Sequence, residues 1–225
     1  MTERARGRSA RLAAKRAGDR VLALCAALAL LPLTAAIGLW IVLDSGRPVL
    51  ISQLRAGKDG RTFRMFKFRT MVPDALEVGR ELGLSDDPFG ILPDDPRITR
   101  SGRFLRRTSL DELPQLLNVL RGEMSLVGPR PDLVEQAANY TPADRRRLAV
   151  LPGITGWAQV NGRDEIPWPE RIEQDIWYIE NWSLTLDVKV LLKTVTHLFR
   201  PEPEPVLDTM NIERAAAARA EDAER

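Results

Sequence analysis

Residues 21–43, VLALCAALALLPLTAAIGLWIVL, form a run of 23 amino acids without a charged side chain. As an α-helix this run would rise roughly 34 Å, which is enough to cross a bilayer hydrocarbon core of about 30 Å. The run is unusually long and uniformly apolar for a buried helix of a water-soluble domain. It also lacks the small-residue exit site of a cleaved signal peptide. The sequence therefore predicts a segment that enters a membrane.

Basic residues flank this run on both sides. Residues 1–20 contain seven Lys or Arg against two acidic residues, and residues 44–71 contain seven against two. The positive-inside rule keeps such flanks in the cytoplasm, which a straight single span cannot satisfy. Pro32 lies in the middle of the run and removes a backbone hydrogen bond, so it favours a bend. We predict a re-entrant membrane helix over residues 21–45, with a kinked ordinary span as the alternative.

The chain of 225 residues is long enough for one good core with appendages. The predicted organisation is a basic N-terminal segment (1–20), the re-entrant helix (21–45), a catalytic domain (46–200) and a disordered tail (201–225). The predicted fold class is α+β and mainly helical, with a short β-hairpin and amphipathic surface helices around a cytoplasmic catalytic core. A single Cys and a single His exclude a disulfide framework and a Cys/His zinc site.

Residues 48–71 predict a hairpin, because two β-prone runs flank the turn sequence AGKDG. Alternation in the second run places Phe66 and Phe68 on one face and Lys67 and Arg69 on the other, where the basic side chains would be solvated or meet phosphate or lipid headgroups. Residues 72–98 predict a helical piece and an Asp- and Pro-rich loop. Further helices are predicted over residues 111–121, 132–149, 170–182 and 183–199, with a Gly-rich loop over residues 151–163.

Asp111 and Glu112 stand side by side at the start of an apolar-periodic segment. Ser109 to Glu112 matches the Ser-x-x-Glu capping box, but a cap at Ser109 would place Pro114 at the fifth helical position, where its missing N–H breaks a bond. A cap nearer Asp111 moves the proline into the first turn. Such a cap stabilises a helix by about 1 kcal/mol and needs no further role. On this segment alone, helix capping and catalysis both remain open.

The surrounding charges favour catalysis. A helix N-terminus can receive phosphate, and Arg106, Arg107, Arg130 and Arg163 supply guanidinium groups suited to bidentate phosphate contacts. Arg130 lies between two prolines that restrict its backbone. Two adjacent carboxylates among arginines suit a polyphosphate bound through a divalent cation, where one carboxylate ligates the metal or attacks phosphorus and the other orients.

Four segments, in this order, resemble the bacterial sugar transferase family, the monotopic polyprenyl-phosphate phosphoglycosyl transferases. They are KFRTM (67–71), SLDELPQLLNVLRGEMSLVGPRP (109–131), PGITGWAQVNGR (152–163) and DIWYIENWSLTLDVKVLLKT (175–194). The resemblance covers about residues 15–200. It implies the transfer of a phosphosugar from a nucleotide diphosphosugar, usually a UDP-sugar, to polyprenyl (undecaprenyl) phosphate, which yields polyprenyl-diphosphosugar and UMP. This reaction starts the synthesis of a glycan such as an exopolysaccharide, a capsule, an O-antigen or a glycoprotein.

The resemblance also implies roles for individual residues. Asp111 is expected to be the nucleophile that forms an acyl phosphate with the phosphosugar. Glu112 completes the dyad, and both carboxylates are expected near Mg²⁺. The expected phosphate contacts are Lys67, Arg106, Arg130 and Arg163, and the expected nucleotide or sugar contacts are Gln159 and Asn161. A non-catalytic membrane-surface scaffold that recruits glycosyltransferases is the alternative, and it predicts no nucleotide product.

The membrane placement is expected to be monotopic, on the cytoplasmic face of the bacterial inner membrane. The family usually has Ser or Thr before the bending proline, and here that position is Leu31, so the bend depends on Pro32 and on packing. Trp157, Trp168, Trp177 and Trp182 favour the headgroup region, with ordinary core packing as the alternative. Membrane lipids are expected partners and a homodimer is plausible. Nucleic acid is not expected, because the basic residues flank a membrane segment and accompany no nucleic-acid-binding motif.

Overall fold

The structure is a computed structural model that describes residues 3–81, 95–162 and 166–197. The chain is mainly helical with two small sheets. Arg163, the predicted tail and most of the Asp- and Pro-rich loop lie outside the described residues. The helices are α1 (Glu3–Ala29), α2 (Leu31–Ser45), α3 (Ala75–Glu81), α4 (Arg100–Arg107), α5 (Leu116–Arg121), α6 (Val134–Ala138), α7 (Trp157–Val160), α8 (Trp168–Glu180) and α9 (Leu184–His197). The strands are β1 (Leu50–Ala56), β2 (Thr62–Phe68), β3 (Ser125–Val127) and β4 (Gly153–Thr155).

The N-terminal apolar run is bent, as predicted. Helices α1 and α2 meet at Leu30 with an angle of 60° between them, and Pro32 lies in the first turn of α2, where its missing N–H is tolerated. Among the described residues, no single helix has the length and apolar character needed to cross a bilayer, whereas the bent pair meets that requirement as a unit. The Thr34 hydroxyl donates a hydrogen bond to the Leu31 carbonyl, 2.9 Å away, just after the bend.

The first part of α1 is attached to the rest of the chain by polar contacts. Lys15 Nζ lies 2.7 Å from Asp187 Oδ2 of α9, and the Ser125 hydroxyl donates to Asp19. Ala23, one turn further on, is fully buried against a core that also contains Phe63, Met65, Leu116, Val119 and Met124. The basic segment is therefore one continuous helix with the first half of the apolar run, and it docks against the part of the chain that follows α2.

The predicted hairpin is present. Strands β1 and β2 are antiparallel, from Leu50 opposite Phe68 to Ala56 opposite Thr62. The predicted exposed basic face is wrong for Arg69, which is buried and donates to the carbonyls of Ser45, Gly46 and Arg47 at distances of 2.7–3.1 Å. Ser45 is the last residue of α2, and Gly46 and Arg47 follow it. Carbonyls at a helix end lack helical partners, so the guanidinium satisfies them and fastens α2 to the hairpin.

The acidic pair lies in a 3-10 helix, Leu110–Gln115, which we call the dyad turn and which runs directly into α5. The helix predicted over residues 111–121 is confirmed to within one residue, since the dyad turn begins at Leu110 and α5 ends at Arg121, but its first part is a 3-10 helix and the residue that precedes it is Ser109. Ser109 adopts a left-handed conformation (φ 54°) and makes no side-chain cap bond. Regular α-helix begins only after Pro114, whose missing N–H would break an α-helical bond.

The C-terminal half differs from the prediction in two places. The single helix expected over residues 132–149 is instead α6 followed by a 3-10 helix, Asp144–Ala149. The expected Gly-rich loop contains β4, which pairs in parallel with β3, and the short helix α7. Gly153 permits this pairing, because a Cβ at that position would lie 2.1 Å from the backbone of Gly128. The two expected amphipathic helices are confirmed as α8 and α9.

The four tryptophans predicted to favour the headgroup region differ in exposure and contacts. Trp177 is 43 % exposed and stacks on Trp157, with ring centroids 4.8 Å apart. Trp168 is buried against Tyr140 and Ile172 instead, so the core alternative is correct for this residue. Trp182 donates its indole N–H to Asp187, which gives it a structural contact next to the α1 attachment.

Candidate active site

Asp111 and Glu112 lie in the first turn of the dyad turn, which packs against β2 and lies between α4 and α5. Asp111 is 8 % exposed, although a charged residue is rarely buried without partners. A simple helix cap would be solvated, so the burial itself indicates a built site. The dyad turn holds the two carboxylates beside the end of β2, where Lys67 is located.

Lys67 and Arg130 converge on Glu112. Lys67 Nζ lies 2.9 Å from Glu112 Oε1, and Arg130 Nη2 lies 3.0 Å from the same oxygen. Lys67 Nζ is 3.9 Å from Asp111 Oδ2, beyond hydrogen-bonding distance. The predicted residues Lys67, Asp111, Glu112 and Arg130 are thus brought together, with Glu112 bound by two cations and Asp111 more loosely held.

The two carboxylates have opposite electrostatic character. Burial raises the pKa of Asp111 to about 6, against the opposing charge of Lys67. Burial also opposes ionisation of Glu112, but the charges of Arg130 and Lys67 hold the pKa of this carboxyl well below its ordinary value. Glu112 is therefore a permanent anion, whereas Asp111 is a carboxylate near neutral pH with a higher basicity than an exposed aspartate. A more basic carboxylate is the better nucleophile of the pair.

Arg106 reaches the site from α4. Its Nε donates to the Thr70 hydroxyl at 3.0 Å, and its charge lowers the pKa of Asp111. Helix α4 approaches closely because residue 102 is glycine: a Cβ there would lie 2.0 Å from the Thr70 carbonyl oxygen. The guanidinium is thus held beside the segment that follows Lys67.

Gln159 and Asn161, the residues predicted to contact the nucleotide or sugar, lie in the loop around α7. Gln159 Nε2 donates to the Ile154 carbonyl at 3.1 Å, within its own loop. Asn161 donates to the Trp157 carbonyl and accepts from Lys193 of α9 at 2.6 Å. These bonds organise the loop around α7 and do not involve the acidic pair. Arg163 lies outside the described residues.

Asn118 is a site-building residue that sequence reasoning missed. It is fully buried, accepts from the Phe66 backbone N–H, and donates to the Arg64 carbonyl and the Glu123 carboxylate. These bonds tie β2 to α5 and so hold Lys67 in register with the dyad turn. The available signal was an amide in the otherwise apolar run LLNVL, since a buried amide needs partners.

The carboxylate pair fits the divalent cation that the sequence suggested. In the described part of the chain no three acidic, His or Cys side chains converge on one point. Mg²⁺ does not require such a cage, because it commonly binds one or two carboxylates together with substrate phosphates and water. Asp111 and Glu112 supply that donor set, and the phosphate oxygens would have to come from a substrate.

Comparison with known proteins adds the family context. The family described as "Bacterial sugar transferase" matches residues 10–201. The uncharacterized sugar transferase EpsL of Bacillus subtilis is 46 % identical over 78 % of this chain and 84 % of its own length. The undecaprenyl-phosphate galactose phosphotransferase of Salmonella typhimurium is 43 % identical over 72 % of this chain. The UDP-glucose:undecaprenyl-phosphate glucose-1-phosphate transferase of Xanthomonas campestris is 44 % identical over 82 % of this chain. The matched parts cover 36 % and 38 %, respectively, of the Salmonella and Xanthomonas proteins.

Proposed function

The chain belongs to the bacterial sugar transferase family, and we propose that it transfers a sugar phosphate from a UDP-sugar to undecaprenyl phosphate. The relatives in Salmonella and Xanthomonas are named for this reaction with galactose and glucose. The single observation that carries the proposal is the buried Asp111 beside a Glu112 that two cations hold ionised. This geometry separates one reactive carboxylate from one fixed carboxylate, as a covalent mechanism requires.

In the first step, a carboxylate oxygen of Asp111 attacks the phosphorus that carries the sugar. An Asp–O–P bond forms as the bond between this phosphorus and the bridging oxygen breaks, and UMP leaves with that oxygen. The product is an aspartyl phosphosugar on the protein. The raised pKa of Asp111 favours this step, because the ionised carboxylate is present at neutral pH and is more basic than usual.

In the second step, a phosphate oxygen of undecaprenyl phosphate attacks the same phosphorus. The Asp–O–P bond breaks, Asp111 is regenerated as a carboxylate, and undecaprenyl-diphosphosugar is released. Each step exchanges one phosphate or acyl-phosphate bond for another, so the cycle needs no outside energy source. The two half-reactions share one covalent intermediate and should show ping-pong kinetics.

The cations around the dyad stabilise charge on the transferring phosphoryl group. Lys67 and Arg130 hold Glu112 in place, and Arg106 and Arg163 are proposed as further phosphate contacts. Mg²⁺, proposed to bind through Asp111 and Glu112, would offset the charge of the diphosphate and of the departing UMP phosphate. Gln159 and Asn161 are proposed to support the nucleotide or sugar side through the loop around α7.

We further propose that the enzyme is monotopic and works at the cytoplasmic face of the membrane. The support is the bend between α1 and α2, the basic residues at both ends of the pair, and the apolar side chains that the pair exposes. A re-entrant helix would bring the lipid-linked acceptor phosphate to the same side as the UDP-sugar. The exposed apolar side chains on the pair are Val21, Leu22, Leu24, Leu28, Leu31, Leu33, Leu39, Trp40 and Leu43.

The test is an exchange assay with purified protein in detergent or lipid discs. Labelled UMP is mixed with UDP-glucose or UDP-galactose and Mg²⁺ without acceptor, and label is followed into the UDP-sugar. A covalent mechanism predicts exchange without acceptor and net UMP release once undecaprenyl phosphate is added. Net release without any exchange would overturn the covalent step. Neither exchange nor release with a panel of UDP-sugars would overturn the proposed function and support the scaffold alternative.

A further inference from the structure

The segment Gly128–Asp132, which carries Arg130 and which we call the GPRPD loop, is held by an unusual set of backbone contacts. Four consecutive carbonyls of this loop each accept a hydrogen bond from outside it. Gly153 N–H donates to Pro129 at 2.8 Å, and Ala56 N–H donates to Asp132 at 3.0 Å. The other two donors are arginine side chains.

Arg147 supplies one of these donors. Its Nη2 donates to the Arg130 carbonyl at 2.9 Å, while its Nε donates to Asp175 of α8 at 2.7 Å. It also pairs with the Asp132 carboxylate and donates to the Tyr140 hydroxyl. Only 5 % of Arg147 is exposed, so nearly the whole guanidinium is committed to these partners. A buried arginine with this many hydrogen bonds fixes the relative positions of the groups that it contacts, including the Arg130 carbonyl.

Arg55 supplies the other donor, from the opposite side of the loop. Its Nη1 donates to the Pro131 carbonyl at 3.3 Å, and its Nη2 donates to Gln53 at 2.8 Å. A β-bridge between Arg55 and Leu133 continues the contact into the residues that follow the loop. The hairpin and the C-terminal half therefore both donate hydrogen bonds to the backbone of the loop.

The side chain of Arg130, unlike its backbone, is 43 % exposed and reaches Glu112. A long, half-exposed arginine side chain loses conformational entropy when it is held in one direction. A backbone that is already fixed reduces the entropy that must still be lost. We propose that Arg147 and Arg55 are positioning residues that fix the GPRPD loop so that the Arg130 guanidinium faces the dyad. The proposal rests on the proposed function, since it assigns Arg130 to the phosphate of the donor.

The experiment is a double-mutant cycle on kcat/KM for UMP release, with Arg147→Lys, Arg130→Ala and the combination. Arg147→Lys keeps a charge beside Asp132 and Asp175 but loses the fork that reaches the Arg130 carbonyl. A displaced loop is expected to lower kcat/KM on the order of 10-fold to 100-fold. If Arg147 acts through Arg130, Arg147→Lys has little further effect once Arg130 is alanine, so the two losses do not add. Losses that multiply would overturn the proposal.

Arg55→Gln in the same cycle covers the case in which Arg147→Lys does not fold, because Arg55 lies on a two-stranded hairpin and is only half-buried. It is expected to show the same non-additivity with Arg130→Ala, and independent losses would again overturn the proposal. Arg146→Lys is the matched control, since the neighbouring Arg146 forms an exposed ion pair with Glu180 and should leave kcat/KM unchanged. A drop for Arg146→Lys equal to that for Arg147→Lys would assign the effect to general damage and overturn the proposal.

Hydrogen–deuterium exchange separates failure of this proposal from failure of the proposed function. Two of the five loop residues are prolines without an N–H, so the reporters are the Gly128 amide, which donates to the Thr155 carbonyl, and the Gly153 amide, which donates to the Pro129 carbonyl. Arg147→Lys or Arg55→Gln is expected to speed exchange at these two amides, which we call loop exchange, while the amides of β1 and β2 keep their protection. Arg130→Ala should leave loop exchange unchanged. A wild-type protein that releases no UMP would overturn the proposed function alone. Unchanged loop exchange in both Arg147→Lys and Arg55→Gln would overturn the positioning roles, whether or not the enzyme turns over.

Discussion

The catalytic domain and the bent helix pair place their side chains in opposite ways. Around the dyad, the carboxylate of Asp111 and the guanidinium of Arg147 are buried and partnered. In α1 and α2, leucines such as Leu28 (64 % exposed) and Leu43 (77 % exposed) lie on the outside. A water-soluble protein normally shows the reverse of both patterns.

The contrast supports the proposal that the helix pair contacts lipid. Exposed leucines are unfavourable in water, because apolar surface is then hydrated, but they are favourable if the helix pair faces lipid. The buried charges of Glu112 and Arg147 are stable because each has close partners of opposite sign. Asp111 has Lys67 3.9 Å away, and the cost of its burial appears as a raised pKa. The bonds of Arg69 to the end of α2 join the two regions. Substitutions in either region or at this junction test whether the two regions differ in this way.

The largest expected effect is at the nucleophile. Asp111→Asn keeps the shape of the side chain but removes the attacking oxygen anion, so UMP release should fall by at least about 10⁴-fold. The matched control is Asp59→Asn in the hairpin turn, where the carboxylate is 60 % exposed and remote in role from the dyad. Normal UMP release by Asp111→Asn would remove Asp111 from the mechanism.

The next effect concerns the helix pair. Leu28→Asp places a charge in the apolar run, and a charge at the centre of a membrane helix costs roughly 2.5–3.5 kcal/mol, or about 100-fold in partition. Vesicle flotation should show Leu28→Asp released from lipid, while Leu54→Asp on β1, which is similarly exposed at 55 %, stays bound. Equal retention of both variants would contradict a lipid-facing helix pair.

A smaller effect is expected at the junction. Arg69→Gln removes charge-assisted bonds to the carbonyls that follow α2, so the free energy of unfolding should fall by about 2 kcal/mol. Arg64→Gln, at an exposed position on β2, the strand that ends just before Arg69, is the control and should change stability little. Denaturant unfolding in detergent measures both. Identical midpoints for the two variants would show that the junction does not couple the regions.

The smallest effect is the pH dependence of the first half-reaction. The pKa of Asp111 is raised to about 6, so the reactive carboxylate is lost as pH falls through that value and is fully present above it. At limiting Mg²⁺, where the rate reports the metal-free protein, UMP exchange at pH 5 should therefore be about tenfold slower than on the plateau above pH 7. Saturating Mg²⁺ should move the midpoint to lower pH, because a bound cation favours the ionised carboxylate. Glu112 stays ionised over this range, because neighbouring cations hold its pKa well below the ordinary value. A flat profile from pH 5 to pH 8 would contradict the electrostatic assignment.

Local signals in the sequence were enough for the bend and the hairpin. Pro32 in an apolar run and AGKDG between two β-prone runs each act over a few residues, so their effects are visible without knowing the fold. The position of the helix that contains the dyad was predicted to within one residue, but its 3-10 part, Leu110–Gln115, was missed because the sequence pattern was read as an α-helix. The split between α6 and the following 3-10 helix was missed in the same way.

The convergence of Lys67, Glu112 and Arg130 was expected from family motifs, and spacing alone would not have shown it. The residues that support these contacts were not identified, because their partners are far apart in the chain. Arg147 contacts Asp175, 28 residues away, and Asn118 contacts Arg64, 54 residues away. An isolated arginine or asparagine in a sequence does not show which distant groups it will meet, and the burial of Arg69 was mispredicted for this reason.

The central claim is that the side chain at position 111 becomes bonded to phosphorus. Intact-protein mass spectrometry after mixing with UDP-glucose or UDP-galactose, without acceptor, measures this directly. We expect the mass of the protein to increase by one hexose phosphate and the increase to disappear on addition of undecaprenyl phosphate. The Asp111→Asn variant should never gain this mass. A wild-type protein that makes undecaprenyl-diphosphosugar with no such adduct under rapid quenching would contradict it.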